Sequence, residues 1–215
     1  MSDWYTTIEE QTQPIFEAIC QHSFIKKLTD GSLDKEVFEF YIRQDSLYLS
    51  VYKKLLAAIA TQCNDIDECQ FFLHSAASTT EVELELHKLY ADTSVPTEAS
   101  PSCELYNGFL TNMVYLQPLS VAMAAVLPCY TIYQKVGEYI LSLPRRENNP
   151  YQAWIETYGS EDFAKAVEQA KAIVNKHAKL SDEATRAKMS QAFIKAAKLE
   201  WMFWDSAYKK ENWPQ

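Results

Sequence analysis

Apolar residues recur at spacings of three and four along almost the whole chain, the period of helices that bury one face. This predicts an all-α fold of long helices joined by short polar connections. Asp30-Gly31-Ser32 is turn chemistry ahead of a helix over roughly Asp34 to Cys63. Asp65 and Glu68 have capping-box spacing for a helix running to about Tyr90, and these two helices should pair as a hairpin. Pro96 and Pro101 place a loop over Asp92 to Ser102, after which Ser100 and Pro101 start the helix that holds Tyr106, and Pro118 marks a break. From Leu119 to Leu143 the residues are almost wholly apolar, so this helix belongs at the centre of the bundle. Pro144 to Pro150 is a loop, Tyr151 to Tyr158 a short helix ended by Gly159, and Ser160 with Glu161 and Asp162 begins the next. Ser181-Asp182-Glu183 repeats that start, and the last helix runs to about Lys210. One domain over residues 1–215 accounts for this pattern.

Composition narrows the function. At 47% hydrophobic and 13% aromatic, 215 residues can bury a substantial core. Only four glycines are present, with neither a dinucleotide nor a P-loop fingerprint, so nucleotide cofactors are not expected. A formal charge of −9 lacks the basic patch that nucleic acid or an anionic membrane surface requires. No apolar run is long enough to span a bilayer and no basic, then apolar, leader opens the chain, which points to a soluble cytoplasmic protein. Five irregularly spaced cysteines, Cys20, Cys63, Cys69, Cys103 and Cys129, read as reduced thiols.

Three helix faces carry polar chemistry where packing alone would place apolar residues. Phe38, Tyr41, Asp45, Tyr48 and Tyr52 share one face and set a carboxylate within an aromatic stripe. In the last helix Phe193, Ala196, Ala197, Glu200, Phe203, Trp204 and Ala207 share another, so Glu200 points inward and burial should raise its pKa. The third contains Leu127-Pro128-Cys129-Tyr130, where the proline removes the hydrogen bond to the Ala124 carbonyl beside a thiol, with Tyr133 on the cysteine's face. Bonding of each acid to a nearby hydroxyl, and burial of the thiol as a small hydrophobe, would explain each face singly. Together, a thiol, two acids and several tyrosines suit a flat, polar, heteroaromatic ligand whose ring is stacked and whose nitrogens are read by acids and hydroxyls.

The segments Tyr41 to Leu49, Glu81 to His87, Leu127 to Tyr133, Pro150 to Gly159 and Glu200 to Tyr208, in this order and spacing, resemble the TenA family of thiaminase II type aminopyrimidine hydrolases. The resemblance spans most of the chain and implies the haem-oxygenase-like multi-helix bundle. It places the family's nucleophile on Cys129, its pyrimidine-binding carboxylate on Asp45 and its catalytic glutamate on Glu200. Its substrate-binding aromatics fall on Tyr48, Tyr106, Tyr133, Tyr158 and Phe203. The implied reaction converts 4-amino-5-aminomethyl-2-methylpyrimidine to the 5-hydroxymethyl compound with release of ammonia, as thiamine salvage, with thiamine itself as a further substrate. Neither cofactor nor metal is implied, and relatives form homotetramers, for which Trp4, Trp201 or Trp213 could supply interface.

Two other readings compete. A haem or metal protein of the same fold could use His22, or Glu83 with His87, although the repeated Glu-x-x-His motifs of di-iron bundles are absent. A non-catalytic pyrimidine-binding module would keep the aromatic pocket without needing Cys129 and Glu200 together.

Overall fold

The structure is a computed structural model that describes residues 3–90, 97–144 and 147–214, and only the backbone of residues 81–88. The expectations placed on the side chains of Glu81 to His87, including the Glu83 and His87 pair, and on Asp92 to Pro96 of the expected loop therefore lie outside the described residues. Among the described residues the chain is helical throughout: α1 (Trp4–Gln21), α2 (Ser23–Thr29), α3 (Lys35–Ala60), α4 (Ile66–Tyr90), α5 (Pro101–Leu116), α6 (Leu119–Ser142), α7 (Gln152–Tyr158), α8 (Glu161–Leu180) and α9 (Glu183–Lys209). No described helix is long and apolar enough to cross a membrane.

Side-chain caps set most helix starts. Asp3, Asp34, Ser100, Ser160 and Asp182 each accept a hydrogen bond from a first-turn amide, the last at 2.7 Å from Thr185 N, so a donor left open by the helix start is satisfied. The α3 helix begins at Lys35 after its Asp34 cap and ends at Ala60, short of the expected Cys63. The expected capping box at α4 is only half used. Asp65 accepts from the amides of Asp67 and Glu68, whereas the Glu68 carboxylate reaches across to His177 Nε2 and Lys176 Nζ, each at 2.8 Å, and ties α4 to α8.

The α3 and α4 helices pack as the expected hairpin, and α6 lies centrally against α5, α7, α8 and α9. Helix α6 runs through Pro128 without a break in its assignment and buries nearly every residue from Ser120 to Ile140. A stack of rings forms the core beneath the centre of the bundle. Tyr41 and Trp204 lie parallel with centroids 5.2 Å apart, Trp154 Nε1 donates to Tyr41 Oη, and Tyr41 Oη donates to Tyr133 Oη, both at 3.3 Å. These bonds satisfy polar tips that burial would otherwise leave costly.

Of the tryptophans considered for an interface, Trp4 bonds Ser190 Oγ and Trp201 packs edge-on to His22, both within the chain, while Trp213 is exposed.

Candidate active site

The two paired helices α3 and α4, the central α6, and the α7 to α8 corner enclose a cavity of about 480 Å³, within the ~300–1,000 Å³ range of small-molecule sites. Its floor is buried: Asp45, Tyr52, Phe71, Ser75, Tyr130, Tyr133 and Tyr158 all line it, with Cys129 half-buried and opening into it. Its mouth is polar and exposed, formed by His74 on α4 and by Asp162, Lys165 and Gln169 on α8. A ligand thus meets polar groups first and aromatic walls at the bottom.

The three helix faces picked out by their spacing converge here. Asp45, Cys129, Tyr133 and Tyr158 line the cavity directly. Glu200, Tyr48, Tyr106 and Phe203 form the layer behind it: Tyr48 stacks near Tyr106 at 4.9 Å and Phe203 at 5.7 Å between centroids, and Tyr106 Oη donates to Glu200 Oε1 at 2.8 Å. Burial lifts the Glu200 carboxyl to about 8; the Tyr106 hydrogen bond opposes that rise and the Asp45 charge adds to it. Glu200 is therefore largely protonated at neutral pH.

The thiol sits in the same field. Burial pushes Cys129 well above its ordinary value, the charges of Glu200 and Asp45 push it further, and the hydroxyls of Tyr48 and Tyr52 offset only part. The sulfur therefore holds its proton at neutral pH. Among the described residues the Tyr48 hydroxyl finds no partner of good hydrogen-bonding geometry, and Tyr52 donates to the Val126 carbonyl at 2.9 Å.

A close crossing of helices positions Tyr158. A β-carbon on Gly137 of α6 would stand 2.7 Å from the Tyr158 carbonyl carbon and 2.8 Å from Gly159 N, so only glycine lets α7 end this near α6. The approach brings the Tyr158 ring to 4.8 Å from Tyr133.

Some wall residues were not read as site residues in the sequence. Tyr52 lies on the α3 stripe and Tyr130 follows the thiol in the proline stretch, but neither carries a role from the sequence, and Phe71 and Ser75 stand outside its motifs; these last two share an i, i+4 face of α4 that their spacing makes legible. The haem alternative loses its histidine: His22 Nδ1 accepts the Phe24 amide at 3.1 Å and Nε2 faces Asp205 at 3.3 Å, so both ring nitrogens are engaged in holding α2 against α9.

An all-α bundle with a thiol and a carboxylate opening into an aromatic cavity, backed by a buried carboxyl, defines the class as a helical bundle with a small-molecule cavity. The chain belongs to the TENA/THI-4/PQQC family, whose sequence model matches residues 9–210. It is 31% identical to the aminopyrimidine aminohydrolase of Halalkalibacterium halodurans, over 96% of each chain. In fold it is similar to a TenA homologue protein from P. horikoshii, with a TM-score of 0.85 at 23% identity, covering 97% of this chain and 99% of that one. A Shewanella denitrificans domain of unknown function with a heme oxygenase-like fold superimposes with a TM-score of 0.73 at 15% identity, over 96% of this chain and 92% of that one. The bundle is thus haem-oxygenase-like.

Proposed function

We propose that this enzyme hydrolyses the bond between an exocyclic methylene and nitrogen on an aminopyrimidine, as an aminopyrimidine aminohydrolase of the thiaminase II type. Its substrate is 4-amino-5-aminomethyl-2-methylpyrimidine, which becomes the 5-hydroxymethyl compound plus ammonia; thiamine gives the same pyrimidine alcohol plus the thiazole alcohol. The observation that supports this reading is that Cys129 of α6 and Asp45 of α3 open into one aromatic cavity, with the Glu200 carboxyl of α9 buried behind them and electrostatically coupled to both.

The roles follow from the protonation states. Cys129 Sγ bonds to the ring carbon beside the substituted one while its proton passes to Glu200 and the Glu200 proton passes to a ring nitrogen. The 4-amino nitrogen then donates its electron pair through the ring, the exocyclic C–N bond breaks, and an amine that entered as a cation leaves neutral. Asp45 holds the amidine edge, where positive charge has now built up. Water adds to the methylene, returning the electron pair to the 4-amino nitrogen, and its spare proton goes to the departed ammonia or, where thiazole has left, to solvent. The S–C bond breaks as the ring-nitrogen proton returns through Glu200 to sulfur, restoring both thiol and aromatic ring. Tyr133 and Tyr158 stack the ring during these steps.

Ammonia release from the aminomethylpyrimidine tests the scheme. Cys129→Ser and Glu200→Gln should each lose at least ~10²-fold in kcat. Turnover close to wild type in either variant would refute the assigned roles.

A further inference from the structure

Beside the thiol, three rings from three helices meet at one side of the cavity. The Tyr130 centroid lies 6.3 Å from that of Tyr52 and 6.2 Å from that of Phe71, and all three side chains are more than nine-tenths buried and line the cavity. Among the described residues the buried Tyr130 hydroxyl finds no hydrogen-bond partner of good geometry, although the hydroxyls of Ser75 and Tyr52 lie near it. A buried hydroxyl in that condition is costly to keep, and a ligand bearing N–H groups relieves the cost.

We infer that Tyr52, Phe71, Tyr130 and Ser75 form the seat of the departing nitrogen and select substrates whose leaving group is a cation: a primary alkylammonium or a quaternised heteroaromatic nitrogen. This rests on the pyrimidine-hydrolase reading above and adds the residues that choose among its substrates. Aromatic faces attract a positive charge, and more strongly where water is excluded, as on this buried floor. The Tyr130 and Ser75 hydroxyls accept from ammonium N–H groups, and the Asp45 carboxyl lines the same cavity. Lys165, the lysine at the mouth, is paired with Asp162 at 3.0 Å, which reduces its opposition to an entering cation. A nitrogen that leaves from a cationic state departs as a neutral amine without an added proton, so the same seat that binds the group also admits only good leaving groups. The hydroxymethyl product carries no charge there and is held less tightly.

The test measures binding without turnover, in a Cys129→Ser background, by titration calorimetry with three ligands: the aminomethylpyrimidine, the neutral hydroxymethylpyrimidine, and thiamine. Adding Phe71→Leu should weaken both cations roughly tenfold and leave the neutral compound within about twofold. Adding Tyr130→Phe, which keeps the ring, should weaken the primary ammonium by roughly fivefold and leave thiamine, whose quaternised nitrogen has no N–H, within about twofold. Equal losses for all three ligands, or none, would overturn the seat while leaving the pyrimidine site standing. Failure of even the hydroxymethylpyrimidine to bind would overturn the pyrimidine reading and the seat with it.

Discussion

Glu200→Gln is expected to stabilise this enzyme in mild alkali while it removes activity. The wild-type carboxyl rises from an ordinary value of 4.5 to about 8 on folding. Between those values the folded state holds a proton that the unfolded state has lost, so stability falls as pH rises through the window. The interval is about 3.5 pH units at ~1.36 kcal/mol each, so the full loss is roughly 5 kcal/mol, of which roughly 3.5 falls between pH 5 and pH 8. Glutamine is close to isosteric and can still accept from Tyr106 Oη, but it has nothing to ionise. Urea unfolding of the two proteins at pH 5 and pH 8 isolates this group, because the other titrating groups are common to both. The variant should gain ~3–4 kcal/mol on wild type between the two pH values. Parallel pH dependence in the two proteins would refute the claim that Glu200 is buried in its protonated form.

Tyr106→Phe removes the hydrogen bond that holds the Glu200 carboxyl down, so its pKa rises. If protonated Glu200 starts the reaction, the alkaline limb of the kcat/KM profile for ammonia release moves to higher pH, and an unmoved limb would count against that role. Gly137→Ala places a β-carbon within 2.8 Å of the α7 backbone, which must shift and carry Tyr158 with it. Thermal denaturation should report a loss of ~1–3 kcal/mol, and kinetics a raised KM; unchanged values for both would mean that the crossing is not tight.

The stripe on α3 was legible because a helix repeats every 3.6 residues, and Tyr41, Asp45, Tyr48 and Tyr52 are indeed all buried together. The same rule placed Glu200 inward on α9, and the near-continuous apolar run from Leu119 put α6 at the centre. Capping was read less well. Asp65 and Glu68 have the spacing of a reciprocal box, but the Glu68 carboxylate instead bonds the Lys176 ammonium and the His177 ring on α8, more than a hundred residues on. Local spacing cannot register a competitor that arrives only when two distant helices pack.

The site divides along the same line. The inward faces of Asp45 and Glu200, and the placing of Cys129 with Tyr133 on one face of α6, follow from helical period within single helices, a local property of the chain, while the roles proposed for these residues come from the family resemblance. The cavity's other wall does not. Phe71 and Ser75 face inward because α4 folds back on α3, and the Tyr130 hydroxyl is buried beside the thiol, near those of Ser75 and Tyr52, because of where α4 and α3 place their side chains around it. The buried pKa of Glu200 and the near approach at Gly137 likewise arise from surfaces of separate helices meeting at atomic distance, a packing outcome that no one-dimensional pattern encodes.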